Sequence, residues 1–252
     1  MNGIPDRASA AQRIMIALDV PDAERARSLA REFEGIPCWL KIGMELFYAA
    51  GPQLVREFKA AGCRVFVDLK LHDIPNTVRG AAASLTRLGA DLFNVHAAGG
   101  SAMMAAAMQG VEEALGASSG VPSADRPLVI AVTQLTSTTR DMLNGEIGVP
   151  GTVEEAVERY AMLARGAGLA GVVASPLEVP RIKAACGSGF LTVTPGIRPS
   201  GAALGDQARV TTPAQAIALG TDYMVIGRPI TGAAQPRAAL ESIIDEIVGN
   251  GS

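Results

Sequence analysis

Eight short apolar runs, alternating with stretches of helical periodicity, constrain this chain more than any other feature of it. The runs fall at 13–19 (RIMIALD), 38–43 (CWLKIG), 65–70 (VFVDLK), 90–97 (ADLFNVHA), 127–135 (PLVIAVTQL), 171–175 (GVVAS), 190–197 (FLTVTPGI) and 222–227 (DYMVIG). Their near-continuous aliphatic character suits strands covered on both faces, as in a parallel sheet wrapped in helices. Between them, apolar residues recur at helical spacing up to residue 33 and over 52–61, 74–88, 100–115, 153–165, 177–185, 212–220 and 236–248. Eight βα units in 252 residues predict an α/β protein: a single-domain (β/α)8 TIM barrel over 1–252, with 1–12 as an N-terminal extension. A doubly wound sheet needs about six strands and usually a glycine-rich first turn. Here that turn, Asp19-Val-Pro-Asp22, has no glycine. Residues 118–125 read as a small-residue linker too short to separate domains.

Bulk properties narrow the function. Hydrophobic residues make up 48% and charged residues 19%, enough for a core and unlike a disordered chain. A net charge of −3 gives no basic footprint for nucleic acid or a membrane surface. The longest uncharged run, 92–111, contains Asn94, His96, two adjacent glycines and Gln109, and reads as strand, loop and helix. Cys38, Cys63 and Cys186 are odd in number and share no short spacing, which fits packed, reduced thiols in a cytoplasmic protein. The first dozen residues have no apolar core of a signal peptide. With His72 and His96 as the two histidines, and no CxxC or HExxH, no metal site is expected.

In a barrel the chemistry sits where strands end and the following loops begin. Those positions hold Asp19, Lys41, Asp68, Lys70, Asn94 or His96, residues 133–136, Ser175, Pro195 with Arg198, and Gly227 with Arg228. Strand starts are bland by comparison. The third run is the richest: Asp68 and Lys70, two apart on a strand, share a face, so a carboxylate and an ammonium are aimed at one place. Charges ending a buried strand are costly unless paired or functional. Asp73, before Ile74 and Pro75, reads equally as a helix cap and as a site residue. On the last two strand ends, Gly196 with Arg198 and Gly227 with Arg228 combine close backbone approach with guanidinium groups, a pattern suited to phosphate. His72 reads as a packed or solvent-facing imidazole, and the loop at 198–210, with Gly201, Gly205 and Gln207, as a loop able to fold over a ligand.

The run DLKLHDIPNT at 68–77 resembles the signature of the orotidine 5′-phosphate decarboxylases in their bacterial form. So do ALD at 17–19, LKIG at 40–43, VTQLTS at 132–137, TPGIR at 194–198 and VIGR at 225–228. A DxKxxD core alone is shared with related sugar-phosphate decarboxylases and synthases that use Mg²⁺, but the DIPNT continuation and the other motifs favour the nucleotide decarboxylase. The resemblance implies conversion of orotidine 5′-phosphate (OMP) to uridine 5′-phosphate (UMP) without metal or cofactor. It implies that Asp19 and Lys41 bind ribose hydroxyls, that Asp68 lies against the substrate carboxylate, and that Lys70 protonates C6. Thr136 would contact the pyrimidine, with Pro195 also lining the substrate site. Arg198, Gln207, Gly227 and Arg228 would hold the phosphate. Asp73 and Thr77 would reach the neighbouring subunit's site, implying a homodimer. A phosphate-binding barrel without catalysis is the alternative from another class. It has no need for the Asp68, Lys70 and Asp73 charges.

Overall fold

Short apolar runs become strands because their side chains fill two separate layers. In the computed structural model, which describes residues 6–116, 126–199 and 211–249, eight parallel strands close into one barrel in sequential order. They are β1 (Ile14–Ala17), β2 (Trp39–Gly43), β3 (Arg64–Leu71), β4 (Leu92–His96), β5 (Leu128–Val132), β6 (Gly171–Val173), β7 (Leu191–Thr194) and β8 (Tyr223–Ile226). The ring shuts where β8 pairs with β1, with Met15 opposite Val225. The linker at 118–125 and most of the 198–210 loop, including Gly201, Gly205 and Gln207, lie outside the described residues.

Successive strand residues point to opposite faces, and burial follows that period. Met15, Trp39, Phe66, Leu92, Ile130 and Val193 fill the barrel interior. Their neighbours Ile14, Ile16, Val65, Val67 and Phe93 pack outward into the larger core beneath the helices. Each fully buried side chain of this size contributes about 1.5–3 kcal/mol. Counting on by twos toward the strand ends carries the inward face from Trp39 to Lys41, from Phe66 to Asp68 and from Leu92 to Asn94. The interior is apolar below and charged above by register alone.

The helices are α1 (Arg7–Ala11), α2 (Ala23–Glu32), α3 (Met44–Ala50), α4 (Gln53–Ala60), α5 (Pro75–Leu88), α6 (Gly100–Leu115), α7 (Val153–Gly166), α8 (Val179–Cys186), α9 (Pro213–Ala218), α10 (Arg228–Thr231) and α11 (Pro236–Gly249). Local chemistry starts several of them. Asp22 accepts from Arg25 N at 2.8 Å to cap α2. Reciprocal capping boxes, Thr152 with Glu155 and Thr212 with Gln215, open α7 and α9. Part of the 1–12 stretch is structured: Ala10 and Ala11 of α1 are buried in the core, and Arg7 pairs with Asp245 of α11. The single-turn helix α10, the two-turn α3 and the π-helical turn at Met142–Glu146 were not expected, being too short to show a period.

The bottom of the barrel is sealed. Trp39 Nε1 donates to the Gln12 carbonyl at 3.0 Å, the Arg64 guanidinium lies 5.3 Å over its ring, and Tyr223 meets it edge-on at 5.6 Å. Two carboxylates tie strands to helices there. Asp91 accepts from Lys59 Nζ at 2.6 Å and Val65 N at 2.7 Å; Asp222 accepts from Lys183 Nζ and Thr192 N, each at 2.7 Å. All three cysteines are free, and burial pushes the Cys38 thiol up to about 12, far from a reactive thiolate. Among the described residues no helix is long and apolar enough to cross a membrane.

Candidate active site

The charged ring above the apolar plug centres on Asp68. Its Oδ1 accepts from Lys70 Nζ at 2.6 Å and from Asn94 Nδ2 at 2.7 Å, while Oδ2 lies 3.5 Å from Lys41 Nζ. Lys41 Nζ also donates to Asp19 Oδ1 at 3.0 Å. The Lys41 and Asp68 side chains are 7% and 13% exposed, so these charges depend on one another: breaking such a buried pair strands the remaining ion. Burial pushes the Asp68 carboxyl up, but the Lys41 and Lys70 charges, with the hydrogen bonds from Lys70 and Asn94, outweigh it. The carboxyl is held below its usual range.

Lys70 reaches this position by leaving regular strand geometry. It is the one non-glycine residue among those described with a positive φ, at 53°. A left-handed conformation costs a side-chain-bearing residue about 1–2 kcal/mol. The β3–β4 register shifts between Val67 and Leu71, and the Lys70 N–H donates instead to Asn94 Oδ1 at 2.8 Å. The carboxylate and ammonium do meet, as the spacing of Asp68 and Lys70 requires, but across a kink.

A cavity of ≈ 230 Å³ opens beside this array. Asp68, Lys70 and Asn94 line it on one side, Val132, Leu135, Thr136 and Ser137 on another, and Val173, Pro195 and Val225 close it. Beyond β7, Gly196 turns the chain with φ +80°, and Arg198 N donates to the Thr211 carbonyl at 3.0 Å, joining the two ends of the following loop. Gly227, after β8, sits beside Asp19: a Cβ there would lie 3.8 Å from Asp19 Oδ2. Arg228 follows as the first residue of α10 and is exposed. Gln207 lies outside the described residues, so nothing places it relative to these groups.

Asp73 and Thr77 stand apart from the array. Both are exposed, as is Ile74 between them at 66%, and among the described residues no ion pair joins Asp73 to Lys70. Asp73 Oδ1 accepts from Ile74 N at 2.6 Å, and Ile74 occupies the N-cap position of α5 without a side-chain cap. Asp73 is therefore not a helix cap of the usual kind, which reaches two or three residues onward. His72 is exposed and stacks on His96, ring centroids 5.5 Å apart. Burial, then the charges of His72 and Lys70, push the His96 pKa down, so that imidazole is neutral at neutral pH.

Residues 12–243 match the family model described as orotidine 5′-phosphate decarboxylase / HUMPS family. The chain belongs to this family. Among its relatives, an orotidine 5′-phosphate decarboxylase of Moorella thermoacetica is 52% identical over 96% of this chain and 94% of its own length. One from Cutibacterium acnes is 53% identical over 93% and 95%. The crystal structure of orotidine 5′-phosphate decarboxylase from Lactobacillus acidophilus superposes with a TM-score of 0.80 at 38% identity, covering 93% of this chain and 98% of that one.

Of the residues picked out from the sequence, the decarboxylase-family barrel joins Asp19, Lys41, Asp68 and Lys70 in direct contact, and sets Thr136 and Pro195 on the same cavity. Asn94 stands at a strand end, and the sequence alone assigns it no role. Its two hydrogen bonds follow from the period of two, which puts it on the inward face beside Asp68, and that signal was available in the sequence. Among the described residues no cluster of three His, Cys, Asp or Glu side chains is arranged to hold a metal ion.

Proposed function

We infer that this chain decarboxylates orotidine 5′-phosphate to uridine 5′-phosphate and carbon dioxide, the last step of UMP biosynthesis, by a route that needs no metal or organic cofactor. The observation that carries the mechanism is the Lys41–Asp68–Lys70 array, with Lys70 Nζ 2.6 Å from Asp68 and both of these residues on the wall of the cavity. Cleavage of the C6–carboxylate bond leaves its electron pair on C6, in an orbital with no π-system to spread it. Fixed positive charge and a proton source at that atom are then required. Lys70 supplies both: its ammonium stabilises the developing carbanion, the proton passes to C6, carbon dioxide departs, and the amine regains a proton from water. Asp68 lies against the substrate carboxylate and holds Lys70 in line.

The remaining roles are those that the family resemblance implies. Asp19 and Lys41 bind the ribose hydroxyls, and Thr136 with Pro195 borders the pyrimidine. Arg198, Gln207, Gly227 and Arg228 hold the 5′-phosphate, whose binding energy organises the reacting centre from a distance. Asp73 and Thr77 complete the site of a second copy, a reading supported by their exposure and by the exposed Ile74 between them. Three free cysteines fit a reducing cytoplasm.

The test is the ultraviolet absorbance of OMP with purified protein in excess EDTA. Steady conversion to UMP is expected. A flat trace, with turnover of a sugar phosphate appearing on adding Mg²⁺, would move the chain to the metal-dependent branch of its family.

A further inference from the structure

We propose that Asn94 is the positioning residue of this site: one side-chain amide fixes both the backbone of Lys70 and the carboxylate of Asp68, and so sets where the proton is delivered. The proposal rests on the reading of Lys70 as proton donor.

Three contacts close a ring. Asn94 Oδ1 accepts from the Lys70 backbone N–H at 2.8 Å, Asn94 Nδ2 donates to Asp68 Oδ1 at 2.7 Å, and the same oxygen accepts from Lys70 Nζ at 2.6 Å. The first contact stands where the ladder fails. Between Val67 and Leu71 the β3–β4 register shifts, and Lys70 turns left-handed, so the Asn94 oxygen takes a donor the neighbouring strand has given up. The second contact leaves one orientation for the amide, because reversing it would set two donors face to face and two acceptors face to face. Asn94 is itself 1% exposed and lies within β4, its Cα opposite Ile130 of β5, so it is anchored by the barrel and not by the loop. The chemistry needs an acceptor and a donor on one short planar group. Alanine has neither, and a carboxylate has two acceptors.

The test compares wild type with Asn94→Ala and Asn94→Asp in OMP turnover, with UMP binding and thermal melting alongside. For Asn94→Ala, kcat should fall about 100-fold, the scale of an ångström-sized misplacement. KM and the Kd for UMP should stay within about threefold, since ground-state binding is not what is lost. Asn94→Asp keeps the shape, and the acceptor for Lys70 N–H, but sets a second carboxylate against Asp68. The groups facing that pair are Lys41 from β2, Lys70 from β3 and, further off, His96 from β4. Its kcat should rise as pH falls, because a shared proton restores the missing donor, whereas wild type should not gain activity on acidification. Wild-type kcat in Asn94→Ala, a loss confined to KM, or a pH profile of Asn94→Asp parallel to wild type would each overturn the positioning role. If Asn94→Ala does not fold, the isosteric Asn94→Asp decides. A wild-type chain inert toward OMP would overturn the functional reading, and the positioning role with it.

Discussion

Asp68 sits between two ammonium groups, and the two contacts are unequal: Lys70 at 2.6 Å and Lys41 at 3.5 Å. The closer lysine is also the more exposed, 27% against 7%: Asp68 holds Lys70 by a hydrogen bond and the buried Lys41 through its field. A pH dependence follows. The Asp68 pKa is lower in the folded state than in the unfolded chain, so unfolded protein binds more protons between the two values. The array's contribution to stability is therefore complete above the unfolded value of about 4, and is lost as pH falls through the folded one. Denaturant unfolding of wild type and Asp68→Asn should differ most at neutral pH and converge as pH drops below about 4. A difference unchanged at low pH would mean that Asp68 is not ionised in the fold. At this scale the sequence was legible in part. The Asp68 and Lys70 pairing could be read from spacing, but the left-handed Lys70 could not, because lysine has no preference for that region and the acceptor of its N–H, Asn94, lies 24 residues away.

The elements that carry the site are packed for closeness. Helix α5 begins just past Lys70 and lies on α6, where a Cβ on Gly110 would come within 2.2 Å of the Arg79 carbonyl oxygen. Gly110→Ala should force the helices apart and cost about 1–3 kcal/mol, read as a lower Tm. Because Thr77 lies on α5, KM for OMP should also rise, and a variant with wild-type melting would show that the helices have room to spare. The eight strands were readable because buried parallel strands are continuous apolar runs, and the eight helices α2, α4 to α9 and α11 because their faces are amphipathic or their caps explicit. Helices α3 and α10 were not. Gly43 leads from β2 directly into α3, whose Met44 and Tyr48 are exposed, so no apolar stripe announces it. Asp73 is ambiguous for the opposite reason: a carboxylate before Ile-Pro has the residue type of a cap, and the structure places its hydrogen bond on the adjacent N–H.

For the whole molecule, the closed barrel places every strand end on one rim, and that topology is what lets groups from β2, β3 and β4 meet around the Asp68 carboxylate, with Asp19, just past β1, on Lys41. The proposed dimer extends this across two chains, with Lys70 from one and Asp73 from the other. Lys70→Ala and Asp73→Ala chains, each inactive alone, should on mixing and subunit exchange recover about a quarter of wild-type activity per site, the share of sites with both residues intact in a two-fold dimer. No recovery despite demonstrated exchange would put both residues in one chain's site. The most direct test of the central claim is the turnover of OMP by Lys70→Ala in EDTA, beside its binding of UMP. The account predicts a folded protein that binds UMP and is slower by at least about 10⁴-fold, since both the proton and the fixed charge are gone. A Lys70→Ala protein that binds UMP and still decarboxylates at the wild-type rate would contradict it.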